Sequence, residues 1–157
     1  MKFQNIIEIK APVTEVFEFV ADMRNTPKWN YFVTKVIQEN GNGPAPGARY
    51  HQTRQTDNQR YEITHYEQGQ IVTIQTLPGS SLVFKRQLRF ESIPGGTRLI
   101  DQMSLRTRYP EVLERLTVSR IRKAVGENLG KLKELLENGH TQLQDGRIIN
   151  IIQKRSI

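Results

Sequence analysis

Residues 6–32 read IIEIKAPVTEVFEFVADMRNTPKWNYF, and the order of patterns in this stretch decides which fold we predict. Residues 3–10 alternate between polar and apolar side chains, with Ile7 and Ile9 on one face, as a half-buried strand does. Pro12 ends that strand and can open a helix, because the N–H of a first-turn residue has no partner within the helix. The apolar residues that follow at helical spacing are Val13, Val16, Phe17 and Val20. A strand followed by an amphipathic helix is therefore predicted.

A second short helix is predicted directly afterwards. The stretch DMRN breaks the first helix, Asn25 or Thr26 can cap the next one, and Pro27 lies just inside it. Trp29 and Phe32 then fall three residues apart on one short helical turn. We expect two short helices after the first strand, with these two aromatic side chains at their end.

From residue 34 onward the sequence changes period and contains six strand-like runs. Turn sequences such as NGNGPAPG, EQGQ, LPGSS and SIPGG separate them. Since short turns join antiparallel neighbours, these runs and the first strand predict seven antiparallel strands, most of them in a meander. The six runs cover residues 35–39, 48–54, 60–66, 71–76, 83–91 and 97–107.

A long helix is predicted from Pro110 to a stop at Gly139. Gly126 and Gly130 lie in its interior, where each costs on the order of 1 kcal/mol against alanine. Close approach of another element, or room for something beside the helix, explains such glycines as well as a tolerated surface position does. The apolar residues expected on the buried face are Leu113, Leu116, Ile121, Val125, Leu129, Leu132 and Leu136.

Composition narrows the class of protein. A chain of 157 residues with 36% hydrophobic and 25% charged residues predicts one globular domain. The absence of cysteine excludes disulfides and thiol catalysis. The three histidines, His51, His65 and His140, lack metal-ligand spacing, and the glycine pairs lie in hairpin loops, so neither a metal nor a nucleotide cofactor is expected. No apolar run is long enough for a signal peptide or a membrane span, so a cytoplasmic location is expected.

The net charge of +7 and the pI of about 9.9 favour an anionic partner such as nucleic acid or a lipid surface. However, most basic residues are scattered along the chain and not gathered in one block. The exception is a group on the long helix, which a solvated helix face explains: Arg115, Arg120, Arg122 and Lys123. Nucleic-acid binding is therefore not the expected function.

The order of these elements resembles the START and birch-pollen-allergen (Bet v 1-like, SRPBCC) superfamily, in its polyketide cyclase/dehydrase-like branch. The stretches that carry the resemblance are IKAPVTEVFEFVADMRNTPKWN, PGARY, FESIPGGTRL and NLGKLKELLE. It implies an α+β helix-grip fold, in which a curved, seven-stranded antiparallel sheet wraps round the C-terminal helix. Residues 1–139 would form one ligand-binding domain. Residues 140–157 lie outside the pattern and contain RIINIIQ, a possible extra short strand.

The resemblance also implies a cavity between sheet and helix that binds a hydrophobic or amphipathic molecule such as a lipid, polyketide or quinone. Trp29 lies where the family usually places an aromatic residue near the mouth, although a packing role is also open. Strand parity and helix spacing select the side chains that would face this cavity. The candidate ligand-binding residues are Trp29, Phe32, Tyr61, Ile63, Phe84, Arg86, Leu88, Leu99, Asp101, Met103, Leu116, Ile121 and Val125.

Three functions remain open at this point. The first is a noncatalytic binder or carrier of a hydrophobic small molecule. The second is a cofactor-independent cyclase, dehydratase or aromatase, in which His65, Asp101 or Tyr61 serves as general acid or base. The third, a nucleic-acid or ribosome-associated module, rests on the net charge alone. The ligand and the oligomeric state also stay open.

Arg86 and Asp101 are the two charged residues that strand parity places among apolar neighbours. If SIPGG closes the hairpin so that facing residue numbers sum to about 187 to 189, the two lie opposite each other or one diagonal step apart. Unpaired charges inside a cavity would each cost several kcal/mol, so a pair is expected. Our hypothesis is that Arg86 fixes the acidic or carbonyl end of an otherwise apolar ligand, and that Asp101 orients the guanidinium group.

Overall fold

The computed structural model describes residues 1–80, 82–106 and 110–151. Within these ranges the chain forms two α-helices, one 3₁₀ helix and nine strands. In chain order they are β1 (Lys2–Ile9), α1 (Val13–Ala21), the 3₁₀ helix (Met23–Lys28), β2 (Val33–Gln38), β3 (Arg49–Arg54), β4 (Asn58–Glu67), β5 (Ile71–Thr76), β6 (Val83–Ile93), β7 (Gly96–Arg106), α2 (Glu111–Asn138), β8 (His140–Gln142) and β9 (Ile148–Asn150). The predicted end of the seventh strand at Thr107 lies outside the described residues.

The first seven strands form one antiparallel sheet, as predicted. Its strand order is β1-β7-β6-β5-β4-β3-β2, so β1 pairs with β7. The core cluster joins buried residues of these strands to residues of α1 and α2. This is the helix-grip architecture: α2 lies along the concave face of the sheet, and the two short helices after β1 close one end. None of the helices in the described ranges has the length and apolar character of a membrane-spanning segment.

The hairpin between β6 and β7 sets the geometry of the two inward charges. Arg86 lies opposite Met103, and Leu88 lies opposite Asp101. Arg86 and Asp101 are therefore one diagonal step apart, which is one of the two arrangements expected from the turn sequence. Side chains at this separation can still make contact across neighbouring strands.

The short helices differ in detail from the prediction. Asp22, and not Asn25 or Thr26, caps the 3₁₀ helix, because its carboxylate accepts a hydrogen bond from the backbone N–H of Arg24 at 3.1 Å. The extended backbone of Asp22 ends α1. The 3₁₀ helix therefore begins at Met23, which is earlier than a cap at Asn25 or Thr26 would allow. Trp29 is already the C-terminal cap of that helix, and a non-helical turn carries the chain on to β2.

Helix α2 follows the prediction over most of its length. It ends at Gly139, whose φ of 82° is left-handed and whose N–H donates to the Leu135 carbonyl at 2.8 Å. The prediction is wrong for Leu113 and Leu116, which are 51% and 57% exposed. The buried stripe continues toward the N-terminus through Val118 instead, and the five-residue step from Leu116 to Ile121 takes Leu116 off that face.

The two interior glycines of α2 have different surroundings. A Cβ on Gly126 would lie 3.4 Å from the Asn5 side-chain oxygen, so β1 passes close to the helix there. A Cβ on Gly130 would meet nothing within 4 Å. After the helix, β8 and β9 form a separate two-stranded hairpin, and β9 lies within the RIINIIQ sequence. Residues 152–157 lie outside the described residues.

Candidate ligand-binding site

A cavity of about 280 Å³ lies between the concave face of the sheet, α2, and the segment that leads from the 3₁₀ helix into β2. Its wall is mainly apolar and aromatic, because strand parity turns alternate residues of β4 to β7 inward. The apolar lining residues are Val20, Met23, Trp29, Phe32, Val33, Ile74, Leu82, Phe84, Leu88, Met103, Leu105, Ile121, Ala124 and Val125. The polar ones are Thr26, Asn30, Gln52, Arg54, Gln59, Tyr61, Arg86, Arg120 and Asn128.

The structure brings most of the candidate ligand-binding residues together on this wall. Three elements supply them: the segment before β2, the inner face of the sheet, and the middle of α2. The candidates that line the cavity are Trp29, Phe32, Tyr61, Phe84, Arg86, Leu88, Met103, Ile121 and Val125.

Four candidates do not line the cavity. Ile63 and Leu99 are fully buried in the surrounding core, where they face neighbouring side chains. Asp101 is also buried, and it is linked to the cavity through Arg86. Leu116 is exposed on a different face of α2, so its assignment to the site is wrong.

Simple strand parity predicted that His65 faces the cavity, but the structure places it on the opposite face of β4. The pairing of β4 with β5 shifts between Ile63 and His65, which indicates a bulge. An extra residue at a bulge moves the inward position along by one. Tyr66 therefore packs against Phe17, with ring centroids 5.6 Å apart, whereas the His65 side chain is 53% exposed and lies 3.7 Å from Glu67. His65 is not a candidate acid or base for this cavity.

Arg86 and Asp101 form a bidentate ion pair. Arg86 Nε donates to Asp101 Oδ1 at 2.8 Å, and Nη2 donates to Oδ2. The side chains are 12% and 1% exposed. Burial by itself would lower the pKa of Arg86, but the negative charge of Asp101 and its hydrogen bonds outweigh that effect and hold the pKa above its ordinary value. The guanidinium carbon also lies 5.8 Å from the Trp29 ring centroid.

Tyr61 is the second polar group on the inner wall. Its ring stacks on that of Tyr50 with a centroid distance of 5.5 Å, and its side chain is 1% exposed. Burial raises the pKa of Tyr61 far above its ordinary value, Tyr50 raises it further, and the positive charge of Arg86 opposes both. Tyr61 is therefore a neutral hydroxyl at physiological pH, able to donate a hydrogen bond.

A pair of glutamines on the cavity wall was not among the predicted site residues. Gln52 and Gln59 face each other across β3 and β4, and Gln52 Nε2 donates to Gln59 Oε1 at 3.1 Å. They are 9% and 5% exposed, and both line the cavity. Gln59 Nε2 is buried without a hydrogen-bond partner among the described residues. Strand parity could have found Gln59, because it lies two residues before Tyr61 and so on the same face.

The remaining polar lining groups are the hydroxyl of Thr26, two arginines and two asparagines. Arg54 lies 3.5 Å from Asp57, and the exposed Arg120 extends from α2. Asn128 accepts a hydrogen bond from Gln144 at 3.4 Å. In residues 1–80, 82–106 and 110–151, no cluster of three or more potential metal-ligating side chains is present. The cavity wall thus offers chiefly hydrogen-bond donors to a ligand.

Comparison with known proteins agrees with this architecture. Residues 1–137 match the sequence profile of the family described as polyketide cyclase/dehydrase and lipid transport. No curated protein sequence matches the chain.

Solved structures with low sequence identity share the fold. Protein MLL2253 from Mesorhizobium loti is 16% identical, with a TM-score of 0.71 over 91% of this chain and 100% of that one. DynU16, a protein in the dynemicin biosynthetic locus, is 21% identical, with a TM-score of 0.69 over 88% of this chain and 48% of that one. Ara h 8.0201 is 15% identical, with a TM-score of 0.60 over 84% and 97%. These likenesses bear on the fold alone.

Proposed function

Because the chain belongs to the polyketide cyclase/dehydrase and lipid transport family, within the START/Bet v 1-like superfamily, we propose that it binds a hydrophobic or amphipathic small molecule in the cavity between the sheet and α2. The family and the fold are consistent with hydrophobic ligand binding and with polyketide cyclase activity. A noncatalytic binder of a lipid, polyketide or quinone-like molecule is the function that the site favours.

The observation that carries this proposal is the cavity itself. Small-molecule sites are usually concave and apolar, with a few polar groups that fix the orientation of the ligand. At about 280 Å³ the cavity is roughly twice the volume of an apolar protein cavity of ~150 Å³ that takes up benzene. A ligand with two or three fused rings, or an alkyl chain of similar volume, would fill it.

Binding is favoured over catalysis by the state of the candidate acids and bases. His65 is on the outside of the sheet, and the carboxylate of Asp101 is engaged by the guanidinium group of Arg86. Tyr61 lines the cavity as a neutral hydroxyl. These groups suit recognition of a ligand better than proton transfer in both directions, which needs a base as well as an acid.

A cyclase or dehydratase is the second candidate, and Tyr61 is the observation that favours it. A neutral hydroxyl in an apolar site can donate a hydrogen bond to a carbonyl oxygen and stabilise the negative charge that develops there as a ring closes. The test is to incubate the protein with a linear poly-β-carbonyl thioester and follow cyclised or dehydrated product by mass spectrometry. Turnover by the parent that is lost in Tyr61→Phe, even at substrate concentrations that saturate the variant, would establish this function. Equal product with and without protein would eliminate it.

The binding proposal is tested by titrating a naphthalene dye into the protein. We expect saturable binding at micromolar concentrations with about one site per chain. Met103→Trp should abolish uptake because the larger side chain fills the cavity. Gln102→Trp is the matched control, since the adjacent residue on β7 points to the outer face and should leave uptake unchanged. Undetectable or unsaturable uptake by the parent would refute the proposal.

A further inference from the structure

We propose that the ligand carries an uncharged hydrogen-bond acceptor, a carbonyl of the ketone, quinone or ester type, which is recognised by Gln59 and Tyr61 on β4 beside the neutralised Arg86. This inference rests on the proposed binding function and specifies the chemical class of the ligand. Its basis is the set of hydrogen-bond donors on the cavity wall that have no partner among the described residues.

Gln59 provides the first argument. A buried side-chain amide normally makes hydrogen bonds through both its oxygen and its nitrogen, since an unpaired buried donor is costly. Gln52 uses the oxygen of Gln59, and Gln59 Nε2 remains without a partner among the described residues. The residue is 5% exposed and lines the cavity, so a small turn of its side-chain amide would bring this buried donor to an acceptor on a bound molecule.

Tyr61 provides a second donor on the same wall. It lies two residues after Gln59 on β4, so both side chains project from the same face of the sheet. Its hydroxyl has no hydrogen-bond partner in the part of the chain that the structure describes, and Phe84 borders it with a centroid distance of 6.3 Å. Two donors within an aromatic wall suit the lone pairs of a carbonyl oxygen on a largely apolar ligand.

Arg86 provides the argument about charge. Asp101 occupies the Nε and Nη2 edge of its guanidinium group, so the pair carries no net charge. An anionic ligand would lose its hydration shell on entering the cavity. It would not be compensated by Arg86, because Asp101 already neutralises that charge. Nη1 has no partner in the described residues and can still donate to a neutral acceptor. From the sequence we expected Arg86 to bind either an acidic or a carbonyl end of the ligand, and the geometry favours the carbonyl.

Three probes of nearly equal size separate these possibilities: 2-acetylnaphthalene, 2-ethylnaphthalene and 2-naphthoate. They present a neutral acceptor, no acceptor and an anion on the same two-ring body. Isothermal titration at pH 7 and about 150 mM salt should give the tightest binding for 2-acetylnaphthalene. We expect the ethyl and carboxylate probes to bind about threefold to tenfold more weakly than 2-acetylnaphthalene.

Removal of the donors should erase the preference and leave apolar binding in place. Gln52→Met/Gln59→Met replaces the amide pair at similar volume, and the preference for acetyl over ethyl should fall to less than about twofold. Tyr61→Phe should reduce the same preference and serves as a second, independent variant. The matched control is Gln4→Met/Gln102→Met, which removes a cross-strand glutamine pair on the outer face, with a hydrogen bond of 2.9 Å. That variant should behave as the parent.

The outcomes distinguish this inference from the function on which it rests. Equal affinity for the acetyl and ethyl probes would leave cavity binding intact and overturn the acceptor inference. Tightest binding of 2-naphthoate would also overturn it, and would indicate that an uncompensated cation such as Arg120 selects the ligand. Failure of all three probes to bind would overturn the proposed function, and the acceptor inference with it.

Discussion

Separating Arg86 from Asp101 should destabilise the protein more than any substitution on its surface. Arg86→Met leaves a carboxylate that is 1% exposed without the partner that donates two hydrogen bonds to it. Breaking a buried ion pair by removing one partner costs about 3–5 kcal/mol. Asp101→Asn should cost less, about 2–3 kcal/mol, because the amide oxygen can still accept one hydrogen bond and the guanidinium group borders the cavity and the Trp29 ring.

The double variant Arg86→Met/Asp101→Leu gives the decisive comparison. Replacing a buried pair by apolar side chains of similar volume is often neutral or stabilising. We therefore expect its free energy of unfolding to lie within about 1 kcal/mol of the parent value, well above that of either single variant. Urea unfolding followed by circular dichroism, with the linear extrapolation and a check that the m-values agree, measures all four proteins.

The control for this cycle is an ion pair on the outer face of the same sheet. Arg98 lies 3.1 Å from Glu8 on the facing strand, and the two side chains are 40% and 60% exposed. Its coupling energy should be below about 1 kcal/mol, since water and salt screen an exposed pair. If both single variants at Arg86 and Asp101 also lost less than about 1 kcal/mol, water would be solvating the inner pair, and our account of it as a buried, neutralised unit would be wrong.

The other predictions concern stability and pH. Burial raises the pKa of Tyr50 to about 12, so its contribution to stability should be complete below pH ~10 and be lost as pH rises toward 12. Tyr50→Phe should reduce this loss of stability at alkaline pH in thermal melts. An unchanged pH profile of the melting temperature would contradict the assignment. Gly130→Ala should stabilise the protein by about 1 kcal/mol in chemical unfolding, because the helix position is open. Gly96→Ala should destabilise it by more than about 2 kcal/mol, since its Cβ would lie 2.2 Å from the Ile9 carbonyl oxygen; equal stability of the two variants would show that the close approach relaxes without cost.

Much of the fold was predictable because its signals are local. The alternation in β1 to β7 and the turn sequences between them follow from backbone geometry that each short segment expresses by itself. The proline at the start of α2 and the glycine after it mark both helix ends. Even the diagonal relation of Arg86 to Asp101 could be predicted, because a short hairpin restricts the possible registers to a few.

The features of the site that could not be predicted from the sequence depend on contacts between distant segments. The bulge between Ile63 and His65 has no glycine or proline to mark it, so parity placed His65 on the wrong face. Leu116 is apolar and near helical spacing, and only the packing of Val118 on the core shows which stripe is buried. Gln59 has the right parity, but a glutamine becomes notable only when its amide is seen to be buried with a donor unpaired.

Trp29 gives the molecule a built-in optical reporter. It is the chain's single tryptophan, it is 3% exposed, and it forms part of the cavity wall. All intrinsic indole emission therefore originates at the site, next to a guanidinium group 5.8 Å from the ring. A molecule that enters the cavity must change the polarity around the indole or quench its excited state, so occupancy can be followed without labelling, on the time scale of a stopped-flow mixing experiment.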